Sequence, residues 1–491
     1  MALLLGLDLG TTGCKAAVYD ASGHTLGESY LEYGLITLSS TMIEQDPQAW
    51  WDLARQAIHQ ALLAASANRS DVRALAVSSQ GISFVLLDAD GQPIGNAINW
   101  LDSRASDESA EILQLYTEED LFGLTGKRAA PFYVLPKLLW LRKNRPEQWR
   151  SAAKLLMGHD YLVYKLCGAH LTDHSMAGGT LLYALQKLDW DETLLDAFAI
   201  PRSLLPDIRW SGTPAGALLP EVADTLDLPH NTMVVVGGQD QKCAALGAGI
   251  ADGLATLSLG TASAICQVMH RPLTDPRQRI PSFTFLQPGR WILEGVVGTG
   301  AGSLRWYRDT LAGGTSYEEL DAEAAQVPPG SEGVLFLPHL SGATSPHWKS
   351  GARGTFHGLS LATSRGHLTR ALLEGVAYQL HENLSVTQEL AGPIRQAVVF
   401  GGGARSVIWR QIIADVINLP VVWTPTVETA SLGAAMLAGL GCGLFSSLDE
   451  ARARMVRMEA VQQPNPAQSQ AYAEAYGYYR QVEAHLLETA R

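Results

Sequence analysis

Three observations predict an α/β fold for this chain. Aliphatic, strand-like runs alternate with helical spacing from one end to the other. A short stretch near the start is echoed half a chain later: residues 7–18 read LDLGTTGCKAAV and residues 257–268 read LSLGTASAICQV. Third, 491 residues that are 47% hydrophobic and only 17% charged carry ample apolar material to bury, which excludes a disordered or collagen-like chain. A chain of this length is expected to divide into about two to four domains.

The elements follow in order. In each echo an apolar run meets Gly-Thr and resumes as a second apolar run, the pattern of a β-hairpin. Residues 49–67 have helical spacing, 73–87 read as strand, turn and strand, and 91–95 (GQPIG) mark a turn. Pro136 sits near the first turn of a helix over 136–145. A β-branched strand over 232–237 leads toward a small-residue helix over 244–253. In the second half, 291–297 is strand-like, 365–390 is a long helix, and the 396–400 strand runs into Gly401, Gly402 and Gly403. Helices over 408–418 and 430–440 follow, and 462–466 (QQPNP) is a short linker before a Tyr-rich terminal helix. Two similar hairpins half a chain apart point to a duplicated architecture, residues 1–247 and 248–491, with one nucleotide cleft between the halves. The competing reading is that small-residue hairpins are common.

Charge narrows the partners. The 36 basic against 49 acidic residues give a net charge of −13, which disfavours nucleic acid and anionic membranes. Small anions remain possible where backbone N–H groups hold them. The cysteines (Cys14, Cys167, Cys243, Cys266 and Cys442) form no CxxC pair and read as buried thiols in a reducing compartment. No run resembles a membrane span. The opening MALLLGLDLG lacks a basic flank and meets Asp8 too soon for a signal peptide, so a cytoplasmic location is expected.

The candidate chemistry begins with phosphate. Gly10, Thr11, Thr12 and Gly13, and later Gly260, Thr261, Ala262 and Ser263, offer small side chains, open backbone N–H groups and hydroxyls that can wrap phosphate oxygens. Asp8, at the end of the first strand, is placed to hold Mg²⁺ through water, or simply to cap its own turn. Lys15, just past the turn, can reach a transferring phosphoryl group as a point charge. No GxxxxGK[ST] occurs, so this is not a P-loop protein, and Gly298, Gly300 and Gly302 do not fit the six-residue dinucleotide fingerprint. Asp240, after a buried strand and a Gly pair, stands where α/β proteins bind ligands. It suits a general base, and equally a helix N-cap. The glycine turn at 401–403 can admit a flat ring or ribose close to the backbone.

In this order the pieces resemble the FGGY family of carbohydrate kinases, within the actin–hexokinase–chaperone ATPase superfamily. The motifs that carry the resemblance run from residue 3 to residue 440 and are most like those of xylulokinases. They include GLDLGTTGCKAAVYD at the start, EQDPQAWW at 44–51, HDYLVYKLCG at 159–168 and GGQDQ at 237–241. LSLGTAS at 257–263, FLPHLSGATSPHW at 336–348, GTFHGLSLATSRGHLTRALLEG at 354–375 and FGGGARSVIWRQIIADV at 400–416 complete the set. The resemblance implies two ribonuclease-H-like domains, with ATP and Mg²⁺ between them and a γ-phosphoryl group passing to a hydroxyl of a sugar or polyol. By it Asp240 is the base and Asp8 serves the metal with Asp240, while Lys15 assists transfer. Gly10, Thr11, Thr12, Gly260 and Thr261 hold phosphates, Gly402 and Gly403 lie at the adenosine, and Ala301 and Gly302 lie near the nucleotide. A homodimer is expected because dimers are frequent in the family.

The departures fall on the acceptor. Where xylulokinases read Gln-Met-His-Gly and glycerol kinases Gln-Arg-Glu, this chain has Gln80, Gly81, Ile82 and Ser83. A site built to bond a sugar hydroxyl loses orders of magnitude without its donor, so neither D-xylulose nor glycerol is the expected acceptor. Phe132 stands where glycerol kinases carry tyrosine, and Ala343-Thr344 replaces the Glu-Arg usual in xylulokinases. The remaining acceptor candidates are Gln80, Gly81, Ile82, Trp100, Arg104 and Gln241. For Trp100 the alternative is core packing, and for Arg104 a structural salt bridge. His339, His347 and His357 lack metal-ligand spacing and read as structural. Two other functions compete: a nucleotide-binding regulatory pseudokinase of the same fold, and an actin- or chaperone-like ATPase.

Overall fold

The computed structural model describes residues 2–490; Met1 and Arg491, the outer ends of the two expected halves, lie outside it. The first hairpin forms as expected: Leu3–Leu9 pairs antiparallel with Gly13–Asp20, and Asp8 faces Lys15 in register. Thr25–Glu32 adds on the outer side. On the inner side Val72–Ser79 and then Met233–Gln239 join in parallel. An edge strand, Pro214–Ala217, completes six strands.

The second half repeats this order. Leu254–Ser258 and Ser263–Met269 form its hairpin, Trp291–Val297 its third strand, and Gln396–Phe400 and Val421–Trp423 its parallel additions. Ser282–Thr284 and Glu459–Gln462 extend this sheet to seven strands. The echo therefore marks a real duplication of topology. A further five-stranded sheet is built from Ile36–Thr37, Ile43–Gln45, Ala97–Ile98, Phe84–Leu87 and Lys154–Met157; Phe84–Leu87 is the second strand expected within 73–87, and the other four run to only two to four residues and carry no clear signal. It carries the turn at 80–83 at the foot of one strand.

Two helices occupy the space between the large sheets. Asp240–Gly247 follows the Met233–Gln239 strand, and Thr429–Gly441, from the second half, packs on the strands of the first. The first of these stops at Gly247 instead of running to 253, because Gly249 turns into the left-handed region at φ +88°. Their contact is at backbone distance. A Cβ on Gly247 would collide with Thr429 O, and one on Gly433 with Cys243 O. The Pro466–Thr489 helix closes the second half, with Tyr472 and Tyr479 in its core.

The three histidines singled out above all anchor that last helix. His339 meets Glu483 at 3.0 Å, His347 meets Glu382 at 3.0 Å and Glu483 at 3.4 Å, and His357 bonds the Tyr478 hydroxyl at 3.0 Å. The ligand atoms of His347, Glu382 and Glu483 do lie within 4.8 Å of one another. Burial pulls His347 down, but its hydrogen bonds to both glutamates push it up to about 9, as an ion-paired histidine requires.

All five cysteines are free, and no helix among the described residues is long and apolar enough to cross a membrane. Gly433→Ala should destabilise the fold by about 1–3 kcal/mol, because overpacking here meets backbone and not a side chain that can rotate away. Chemical denaturation of the variant against wild type measures it.

Candidate functional site

Sheet register assembles the first half of the site. Lys15, Asp8 and Ser78 are successive register partners on neighbouring strands, and Ser78 in turn pairs with Gly238, two residues before Asp240. Four strands thus deliver their chemistry to one edge, at the carboxyl ends of the three parallel ones. Ser78 Oγ donates to Asp8 Oδ1 at 2.7 Å. Asp240 is the first helical residue and Gln239 holds the N-cap position. The Asp240 carboxylate accepts only from the next backbone N–H, Gln241 N at 2.7 Å, and from the Gln239 side-chain amide. Asp240 thus stands at N1 and not at the N-cap, and its carboxylate also takes up the N2 amide, Gln241 N, of its own helix.

Both acids keep part of their surface toward the cleft, yet protein crowds them. Burial pushes Asp8 up to about 6, against the Ser78 hydrogen bond and the Lys15 charge. Burial and then the charge of Asp8 push Asp240 up to about 7. Asp8 raises Asp240, while the charge that raises Asp8 is that of Glu428; acids crowded in this way fit a hard divalent cation, whose charge would offset the repulsion.

Sequence reasoning missed the partner of Lys15. Glu428, at the head of the Thr429–Gly441 helix, pairs with Lys15 at 2.6 Å and brings the second half of the chain to the first phosphate turn. A signal existed: AALGA at 244–248 and ASLGA at 430–434 repeat one another, each shortly after an acid.

The second half of the site is a cavity of about 1170 Å³. Gly260, Thr261, Ala301, Gly302, Gly402 and Gly403, all named from sequence, line it together. The two segments that carry the first four are stitched by backbone bonds, Ala301 N to Gly260 O at 2.8 Å and Gly302 N to Thr261 O at 3.1 Å. The glycines that looked like a stray dinucleotide motif are thus the bed of the second turn. Gly402 opens on free space, whereas a Cβ on Gly403 would press on Trp409, Ala301 and Leu259. Arg305, another residue missed from sequence, also lines the cavity and donates to Thr261 Oγ1 at 3.2 Å. The helix after the glycines begins only at Val407 and is capped by Ser406, so a short 3₁₀ turn and the first turn of the helix both line the cavity.

The acceptor candidates divide. Gly81 lies against the Gln239 side chain, which itself bonds Asp240, so this turn does neighbour Asp240. Ile82 sits at φ +54°, an outlying conformation for a β-branched residue, with its Cγ2 against Gly179. Gln241 reaches Asp240 through its backbone. Gln80 is 1% exposed, and its amide is engaged by Gln45 and Asn99. The Arg104 side chain is 2% exposed, held by Asp102 and Glu44 at 2.8 Å each, the salt-bridge reading. Trp100 is not core: it is 39% exposed.

The geometry now has a counterpart among known proteins. The N-terminal domain of the FGGY family of carbohydrate kinases matches residues 3–247, and the C-terminal domain of that family matches residues 255–442. The chain belongs to this family. It is a carbohydrate kinase, a phosphotransferase with the actin/hexokinase-like fold. Xylulose kinase of Bacillus subtilis (strain 168) is 30% identical over 486 residues, spanning 99% of this chain and 97% of that protein. Gluconokinase of the same organism is 30% identical over 459 residues, covering 91% and 89%. Among solved structures, ligand-bound xylulose kinase from Lactobacillus acidophilus superposes with a TM-score of 0.94 at 26% identity, over 100% of this chain and 99% of that one.

The raised acids bind protons more readily in the folded state than in the unfolded one. Their contribution to stability therefore falls as pH rises from the carboxylate range toward 7. Asp240→Asn should raise the melting temperature at pH 8 by about 2–4 °C and leave it unchanged near pH 4, as differential scanning fluorimetry would show.

Proposed function

We propose that this kinase transfers the γ-phosphoryl group of ATP to a hydroxyl of a ketose, polyol or sugar acid, with Asp240 as general base and Asp8 and Asp240 serving Mg²⁺. The observation that carries the reading is the convergence of Asp8, Lys15 and Asp240 at one sheet edge, beside a cavity built from the second phosphate turn. When bound, Mg-ATP supplies the electrophilic phosphorus and the charge neutralisation. Asp240 takes the proton of the acceptor hydroxyl as its oxygen bonds to phosphorus, and the phosphorus–oxygen bond to ADP breaks. A carboxylate poised near 7 suits that transfer better than one near 4, since it both accepts and releases the proton at working pH. Lys15, steadied by Glu428, provides a point charge for the phosphoryl oxygens. The small residues of the two turns let backbone N–H groups approach phosphate.

Relatives named for xylulose and for gluconate both align along almost the whole chain, so a ketose and a sugar acid are both in class. The turn beside Asp240 supports an acceptor other than D-xylulose: Gly81 and Ile82 offer no side-chain hydrogen bond there. The presence of all three charged residues at one end of the sheet supports catalysis, and nothing observed favours the pseudokinase alternative.

A panel of ketoses, polyols and aldonates, assayed for acceptor-dependent ADP release, tests the reading. Asp240→Ala should lower turnover on the best acceptor by about 10²–10⁴-fold with the fold intact by circular dichroism. Full turnover in that variant would remove Asp240 as the base. In the free enzyme, kcat/KM for the acceptor should fall below about pH 7, as the base becomes protonated.

A further inference from the structure

Trp100 has an arrangement that neither core packing nor simple contact with a sugar accounts for. Its backbone N–H donates to Ser83 Oγ at 2.9 Å, on the turn beside the base. Its indole Nε1 donates to Thr11 Oγ1 at 2.8 Å, on the first phosphate turn. One residue is therefore bonded to both sides of the reaction centre. The segment around it is held from below. Gln45 Nε2 donates to Thr11 O at 2.8 Å, while Gln80 and Asn99 both donate to Gln45 Oε1, at 2.7 and 2.8 Å. Lys137 Nζ, on the next layer, donates to Asn99 O at 2.8 Å. Gln45, Gln80, Asn99 and Lys137 are all buried, so this chain of bonds is shielded from competing water.

The chemistry of the pair sets a direction. An indole N–H can only donate, and a threonine hydroxyl has one proton. When Thr11 accepts from Trp100, its own proton is left for another acceptor, and a phosphate oxygen is such a group. We propose that Trp100 is a positioning residue: its indole N–H fixes the Thr11 hydroxyl as a donor toward nucleotide phosphate and ties that turn to the acceptor turn. This inference rests on the kinase reading above. Its consequence is alignment, since phosphoryl transfer depends on holding the attacking oxygen and phosphorus in line.

Trp100→Phe keeps an aromatic ring and removes the N–H together with the second ring, at a side chain 39% exposed and outside the core. On the best acceptor, kcat should fall about 10-fold or more. Acceptor KM should stay within about threefold and the melting temperature within about 2 °C. In a Thr11→Val background the same substitution should cause no further loss, because the bond it removes is already gone. A loss confined to acceptor KM, or an undiminished loss on top of Thr11→Val, would overturn the proposal. Calorimetric titration with the magnesium complex of the β,γ-imido analogue of ATP, without sugar, repeats the cycle without turnover. If wild type binds the analogue but phosphorylates no carbohydrate, the acceptor reading fails, while additivity or non-additivity of the two substitutions in affinity still decides the role of Trp100. Absence of analogue binding by wild type would overturn both.

Discussion

The rest of the structure depends on how closely two helices cross between the sheets. Asp240–Gly247 and Thr429–Gly441 meet at backbone distance because Gly247 and Gly433 carry no side chain at the contact, and Gly6 of the first strand admits Ser431 O in the same way. The crossing is small, so the sheets come close on either side of it. Tyr19 of the first sheet bonds Ser431 Oγ at 2.7 Å and helps fix the second helix in place. Both helices begin at the cleft, and each brings an acid there, Asp240 and Glu428. Side chains at the crossing would hold the helices apart, and the acids would lose their common centre.

That centre runs against the preferences of a folded protein. Asp8, Asp240 and Glu428 gather at one cleft in a chain that is already acidic; Lys15 answers Asp8 and Glu428, and Lys242 answers Asp240. The site therefore stores electrostatic repulsion that a divalent cation and a polyphosphate would together relieve, the cation meeting the carboxylates and Lys15 the anion. Net charge, which disfavours polyanions over the outer surface, has no authority inside such a cleft. What matters there is the local order of charges and the backbone N–H groups of two small-residue turns.

Much of the architecture was legible because it is local. Each hairpin is announced by an apolar run, Gly-Thr and a second apolar run, and the repeat of that pattern marks the duplication. The long Arg365–Ala391 helix and the strand into the triple glycine follow from periodicity alone. Of the five-stranded sheet only Phe84–Leu87 was legible, since its other strands, of two to four residues, carry too little alternation to be read. Gln80 and Arg104 looked like ligands because polar residues near a cleft usually are. Their partners, Gln45, Asn99 and Glu44, lie far away in sequence or in another strand, and those bonds turn both side chains inward.

The amino-acid sequence by itself determined the α/β class, the two phosphate turns, the candidate base and the family resemblance, all of which reside in contiguous residues. Tertiary structure alone decided which acids face one another, that Glu428 meets Lys15, that Trp100 spans two turns, and that three histidines fasten the last helix. The reason is physical. A turn or a strand is set by neighbours a few residues away, whereas a pKa, an ion pair or a shared hydrogen bond depends on which distant segments are packed together and how much water they exclude.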